Sequence, residues 1–222
     1  MPDELRHQYH RQLGDIDSII IRMLAIVEED IVAAGTAFLG ADREAAEAVE
    51  GHKPILQDLY NEVERLAQVQ LVRQAPVAGE LRFLLTVLRM LPELERSDAL
   101  AAHVARRGAT LLAAELPPRV RGIIAQLIEG ASSMWHRVAA AYANQESGLA
   151  DEIEAADDQL DELHASLSAE LVTAELRPPV LLEMGLVARF LERLGDHAVN
   201  VAHWVENAER PPRAVVGLVP PV

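Results

Sequence analysis

The stretch FLERLGDHAVNVAHW, Phe190 to Trp204, decides the fold once it is set beside LERSDALAAHVA, which begins at Leu94. LERLGDHAVNVA begins at Leu191, an offset of 97 residues, so Glu95 and Arg96 fall on Glu192 and Arg193, and Val104 and Ala105 fall on Val201 and Ala202. In the second copy Leu191, Leu194, Ala198, Val201 and Val205 recur at helical spacing. A helical motif that closes each half of a chain predicts an internal repeat of two similar units.

Working outward, each half divides into three helices. The first spans about Asp3 to Ala37, where Leu13, Ile16, Ile20, Met23, Val27 and Ile31 alternate three- and four-residue steps. Asp42 is placed to cap a second helix that runs to about Arg73, with Pro54 near its start. QAPVAGE breaks the chain before a third helix, from about Ala78 to Arg107. Its expected core stripe is Leu81, Leu84, Leu85, Leu88 and Leu91, and Pro92 predicts a kink. Pro117 and Pro118 suit a connection followed by the first residue of a helix. The remaining helices are expected at about Arg119 to Ala143, Leu149 to Ala174 and Pro179 to Asn207. No run alternates with a strand period. The fold class is therefore all-α: six long helices in two three-helix bundles, over residues 1–113 and 114–209, with residues 210–222 as a Pro-rich flexible tail.

Composition excludes several functions. The 222 residues are 50% hydrophobic and only 4% aromatic, which favours packed helices over sheets. A formal net charge of −15 argues against a nucleic-acid partner, because phosphate contacts need Lys and Arg. The absence of cysteine excludes disulfides, thiolate metal sites and cysteine catalysis. The N-terminus is polar rather than signal-like, and the longest apolar runs stop well short of spanning length. The expectation is a cytoplasmic protein without membrane insertion.

A second oddity lies in the opening stretch. At about 100° per residue, Glu192, Asp196 and His203 point within about 40° of one another, and Asn200 lies beside them. Carboxylates one turn apart repel by a few tenths of a kcal/mol on an exposed helix, of order 0.2–0.5. In a chain with 35 acidic residues such pairs also arise by chance as solvated surface.

The markers RQAPVAGELRFLLTVLRM leading to ELERS, then AADDQLDELH, then LLEMGLVARFLERLGDHAVNVA, in that order and spacing, resemble the PhoU family of phosphate-signalling regulators, especially its actinobacterial members. The resemblance covers about Tyr9 to Val205. It implies a six-helix, two-bundle fold and paired acidic motifs, E or D, three residues, then D, that hold small clusters of metal ions, iron or zinc among them. It also implies a cytoplasmic regulator, often a homodimer, with no catalysis of its own. Such proteins link the phosphate ABC transporter, through its ATPase subunit, to a sensor histidine kinase of a two-component system, and restrain the phosphate-starvation response when phosphate is plentiful.

Carried onto this chain, the second half keeps both motifs: Asp157 and Asp161 on the fifth helix, Glu192 and Asp196 on the sixth. The i, i+4 spacing puts each pair on one helix face, and a cation between the faces turns repulsion into coordination. Oxygen-rich sites suit Mg, Ca or Mn, and an added imidazole tilts the site towards Fe or Zn. Asn200 and His203 are candidates to complete the ligand set, His203 standing where many relatives carry Glu. Arg189 and Arg193 are expected to pair with the carboxylates.

The first half departs from the pattern. Its motif positions fall on Lys53 and Gln57, and on Glu95 and Ala99, so metal ions are expected in the second bundle only. His52, Asp58, Asp98 and His103 remain as candidates for some other polar site. Two rival readings stay open: a metal-dependent carboxylate hydrolase or oxidase, and a metal-free helical scaffold with another partner. The di-iron form of the first needs Glu-x-x-His pairs on bundle helices, and the one such spacing is Glu4 to His7. No metalloprotease, P-loop or dinucleotide motif occurs.

Overall fold

The apolar seam of the first helix is its buried face: Leu13, Ile16, Ile20, Met23, Val27 and Ile31 are all at most 2% exposed. Burying each such side chain contributes about 1.5–3 kcal/mol, which is what holds so long a helix in place. The computed structural model describes the backbone of residues 2–73, 76, 78–108 and 112–207, and it is helical in every regular element. The elements are α1 (Pro2–Gly40), α2 (Arg43–Arg73), α3 (Ala78–Gly108), a short 3₁₀ turn (Leu112–Glu115), α4 (Pro118–Asn144), α5 (Leu149–Thr173) and α6 (Pro178–Glu206). Residues 210–222, read as a tail, lie outside the described residues, and so do the side chains of Glu4 and His7.

The local signals act as the residues dictate. The Asp42 carboxylate accepts from the Ala45 amide at 3.1 Å, capping α2. Pro118 opens α4 with Pro117 as its N-cap. Both α2 and α3 continue through their internal prolines, Pro54 and Pro92.

One expectation needs correction. Leu81 and Leu85 are 38% and 40% exposed, while Phe83, Leu84, Val87, Met90, Leu91 and Leu94 form the buried face of α3. The run FLLTVLRML is nearly continuous in apolar residues, so it offers two helical faces. Packing against α1, α2 and α6 selects the one that includes Phe83 and Met90.

The two bundles share one core. The buried apolar residues of both form a single cluster. α2 packs only on α1 and α3, and α5 packs only on α4 and α6 among the principal helix contacts. The four remaining helices meet in the middle as two antiparallel pairs. In α1 and α4, Tyr142 donates to buried Asp17 at 2.9 Å, His136 pairs with Glu28 at 2.7 Å, and Arg121 donates to the Leu39 carbonyl at 2.6 Å. A Cβ on Gly35 would collide with Ile128, so this crossing depends on a glycine. In α3 and α6, Arg107 bonds Glu183 at 2.6 Å, the His103 ring stacks on Phe190 at 5.1 Å, and the Arg89 guanidinium lies 4.7 Å from the Trp204 ring centre.

Candidate functional site

The acidic stripe sits where α5 crosses α6. Gly195 makes that crossing close: a Cβ there would run into the Asp157 carboxylate and lie 2.7 Å from Leu160 Cδ2. From the other side the indole of Trp135, fully buried on α4, donates to the Leu194 carbonyl at 2.9 Å. The turn of α6 that carries Glu192 and Asp196 is thus fixed from both sides.

The predicted residues take different positions. Glu192 is buried, Asp157 is half-buried, and Asp161 and Asp196 are exposed. Two carboxylate oxygens, Asp157 Oδ1 and Glu192 Oε2, are buried without a hydrogen-bond partner. Buried acceptors left so are uncommon, because desolvation without compensation is costly. Burial, then the charges of Asp161, Asp196 and Glu192, push Asp157 up to about 6. Burial and then Asp196 also raise Glu192, against the opposing pull of Arg189. The four acids therefore act on one another electrostatically across α5 and α6. Arg189 pairs with Glu192 Oε1, as expected, whereas Arg193 lines the neighbouring cleft and makes no ion pair with the acids.

Asn200 and His203 are engaged elsewhere. Asn200 donates to Glu93 Oε2 at 3.1 Å, across to α3. His203 Nε2 stands 2.8 Å from Glu154 on α5. Glu93, which the spacing did not single out, is the hub of this junction. Its carboxylate also bonds the buried His197 at 2.6 Å and Arg96 at 3.3 Å. A cleft of about 340 Å³ opens here, with Glu93 and Arg96 on one wall and Asp157, Arg193 and Asp196 on the other.

An all-carboxylate donor set with two orphaned oxygens has the chemistry of a hard-cation site. As the side chains stand, no group of three or more His, Asp or Glu among the described residues is arranged to hold a metal ion. What the arrangement does without one is concentrate negative charge at a fixed helix crossing.

In the first half, Lys53, Gln57, Glu95 and Ala99 line a cleft between α2 and α3. His52 and Asp98, two of the four residues suggested for another polar site, do come together. They meet at Asp30 of α1, which the sequence had not singled out. Asp58 is exposed, and His103 turns to Phe190 and Arg106.

The model of the PhoU domain matches this chain twice, over residues 20–108 and 124–205. The phosphate-specific transport system accessory protein PhoU homolog 2 of Mycobacterium tuberculosis is 32% identical over 206 residues, covering 90% of this chain and 96% of that protein. PhoU homolog 1 of Mycobacterium leprae is 31% identical over 204 residues, covering 90% and 92%. The crystal structure of PhoU from Pseudomonas aeruginosa superposes with a TM-score of 0.82 at 26% identity, over 89% of this chain and 96% of that one. One match falls on each copy of the repeat and the curated relatives are covered almost end to end, so the chain belongs to the PhoU family.

Proposed function

We propose that the chain is a cytoplasmic accessory protein of phosphate transport. It acts as a non-catalytic adaptor between the ATPase subunit of the phosphate ABC transporter and a sensor histidine kinase, and restrains the starvation response when phosphate is plentiful. The observation that supports this reading is family membership over 90% of the chain, including relatives named as phosphate-specific transport accessory proteins. No helix among the described residues is long and apolar enough to cross a membrane, which is consistent with an adaptor that meets a transporter from outside the bilayer. Deleting the gene should raise starvation-gene expression in phosphate-rich medium. Unchanged expression would overturn the adaptor reading.

The same reading assigns a metal, iron or zinc being the leading candidates, to Asp157, Asp161, Glu192 and Asp196 in the second bundle, and a homodimer as the working form. The orphaned oxygens of Asp157 and Glu192 support it. Asp161 and Asp196 are exposed and would have to turn in to join the ligand set; Asn200 and His203 would join it only by giving up Glu93 and Glu154. Such an ion would clamp α5 to α6, a structural rather than a catalytic role. The Arg189–Glu192 pair favours the metal-free scaffold as the second reading, because a guanidinium already offsets one of the charges. Elemental analysis decides between them, on protein kept from chelators and nickel columns, with Glu192→Ala/Asp196→Ala as control. Stoichiometric metal that vanishes in the double variant supports the clamp, and no metal in either supports the scaffold. Oxygen consumption or phosphoester turnover by the metal-loaded protein would move the assignment to an enzyme.

A further inference from the structure

The repeat puts Lys53 where the second half has Asp157, and Asp98 where it has Gly195. In the second bundle an α5 carboxylate lies against a bare glycine of α6. In the first bundle the arrangement is reversed: the α3 position carries the carboxylate. Asp98 is only 4% exposed, and it meets Asp30 of α1, which is fully buried. His52 of α2 stands with Nδ1 2.7 Å from Asp30 Oδ1. Asp30 Oδ2 and Asp98 Oδ1 are both buried, and neither has a hydrogen-bond partner when the two groups are taken as carboxylates. Two orphaned carboxylate oxygens on adjoining buried side chains are accounted for together by one proton between them.

We propose that the first bundle holds a proton-binding site in place of a metal site: Asp30 and Asp98 share one proton, Asp30 Oδ2 donating to Asp98 Oδ1, while the His52 Nδ1–H donates to Asp30 Oδ1. The site ties together all three helices of the bundle, so its proton occupancy sets how tightly α1, α2 and α3 pack.

The surrounding charges agree with this. Burial pushes Asp30 up to about 7, with His52 pulling down and Asp98 pushing up. Burial also raises Asp98, while Lys53 and His52 pull it down and Glu50 pushes it up. Glu50 is itself paired with Arg106 of α3. The ion pairs that α4 and α6 make with the outer sides of this bundle go to other groups: His136 to Glu28, His197 to Glu93 and Glu183 to Arg107. A divalent cation is the competing occupant of the same oxygens, and Lys53 beside Asp98 opposes it.

A raised acid pKa means that the folded chain keeps a proton that the unfolded chain releases. Stability therefore falls as pH rises from about 4 to about 7 and levels off above that.

The test uses the full chain, chelator-treated, in an Asp157→Asn background that silences the acid of the second bundle. Aspartate labelled with ¹³C at Cγ is titrated by NMR from about pH 4 to about pH 9. The expected result is a pair of resonances that move together with at least one midpoint well above the ordinary carboxylate range. In Asp98→Asn the coupled movement disappears, and the midpoint of Asp30, freed from its partner acid but still buried, moves down. Urea midpoints should fall from about pH 4 to about pH 7 in the parent, and fall less steeply over the same interval in Asp98→Asn. Should Asp98→Asn fail to fold, the parent titration alone still decides. All aspartates titrating in the ordinary range overturn the proposal. So does stoichiometric zinc or manganese, bound by the parent and lost with Asp98→Asn.

Discussion

Replacing Gly195 with alanine tests the closest contact at the acidic stripe, and α6 supplies its own control. Gly185 lies on the same helix with open space within 4 Å of where a methyl would sit, whereas a methyl on Gly195 meets Asp157 and Leu160. In both variants the helix gains about 0.5–1 kcal/mol, because alanine loses less backbone entropy than glycine. Gly185→Ala should keep that gain. Gly195→Ala adds an overpacking cost of about 1–3 kcal/mol, since the Leu160 methyl at 2.7 Å and the Asp157 carboxylate must both move. The two variants should therefore differ by about 1–3 kcal/mol in chelated buffer, with Gly195→Ala the less stable. For a chain of this size each kcal/mol moves the melting temperature by about 2–4 °C. Thermal unfolding followed by circular dichroism reads the difference directly. Adding Asp157→Ala to Gly195→Ala should recover part of the loss, because one of the two colliding groups is gone. Equal upward shifts for Gly185→Ala and Gly195→Ala would refute the close crossing and, with it, the account of how the acids are held.

Further outcomes can be checked on the same protein. Trp135→Phe should cost about 1–2 kcal/mol by urea unfolding, removing the buried bond to the Leu194 carbonyl while keeping most of the ring. His197→Ala strips the half-buried Glu93 of one of its partners, and unfolding should show a loss of about 2–3 kcal/mol that Glu93→Gln/His197→Ala partly restores. Gly35→Ala should destabilise through the clash with Ile128, whereas Gly51→Ala, with open space around it, should not; melting curves separate the two.

What the sequence made legible follows from how local each feature is. The six helices, the Asp42 cap and the proline start of α4 depend on residues within one or two turns, and the structure has them where the spacing put them. The seams of α1 and α6 were legible because their apolar residues leave a single face. That of α3 was not, because FLLTVLRML leaves two. The acidic pair of α6 could be read from its i, i+4 spacing, whereas that of α5 stood out only through the family resemblance. Asp30 could not: one acid in a long amphipathic helix looks like surface until α2 and α3 bring His52 and Asp98 to it from 22 and 68 residues away. Glu93 escaped for the same reason, its partners His197 and Asn200 lying 104 and 107 residues away on the other half of the repeat. A tertiary hydrogen bond leaves no periodic trace in either of the segments that make it.

The antiparallel pairing of α1 with α4 and of α3 with α6 also sets an order of events during synthesis. The first bundle leaves the ribosome complete in its helices but without the helices that cover α1 and α3. At about 5–20 residues per second, the second half takes another several seconds to arrive. Through that interval the faces destined for Ile128, Tyr142, Phe190 and Trp204 are open to water and to other chains. Closing them joins residues about a hundred positions apart, so the final step is slow for an all-helical protein of this length. Translation pauses after Gly108 or shortage of chaperones should therefore deplete this protein more than a three-helix bundle that folds alone.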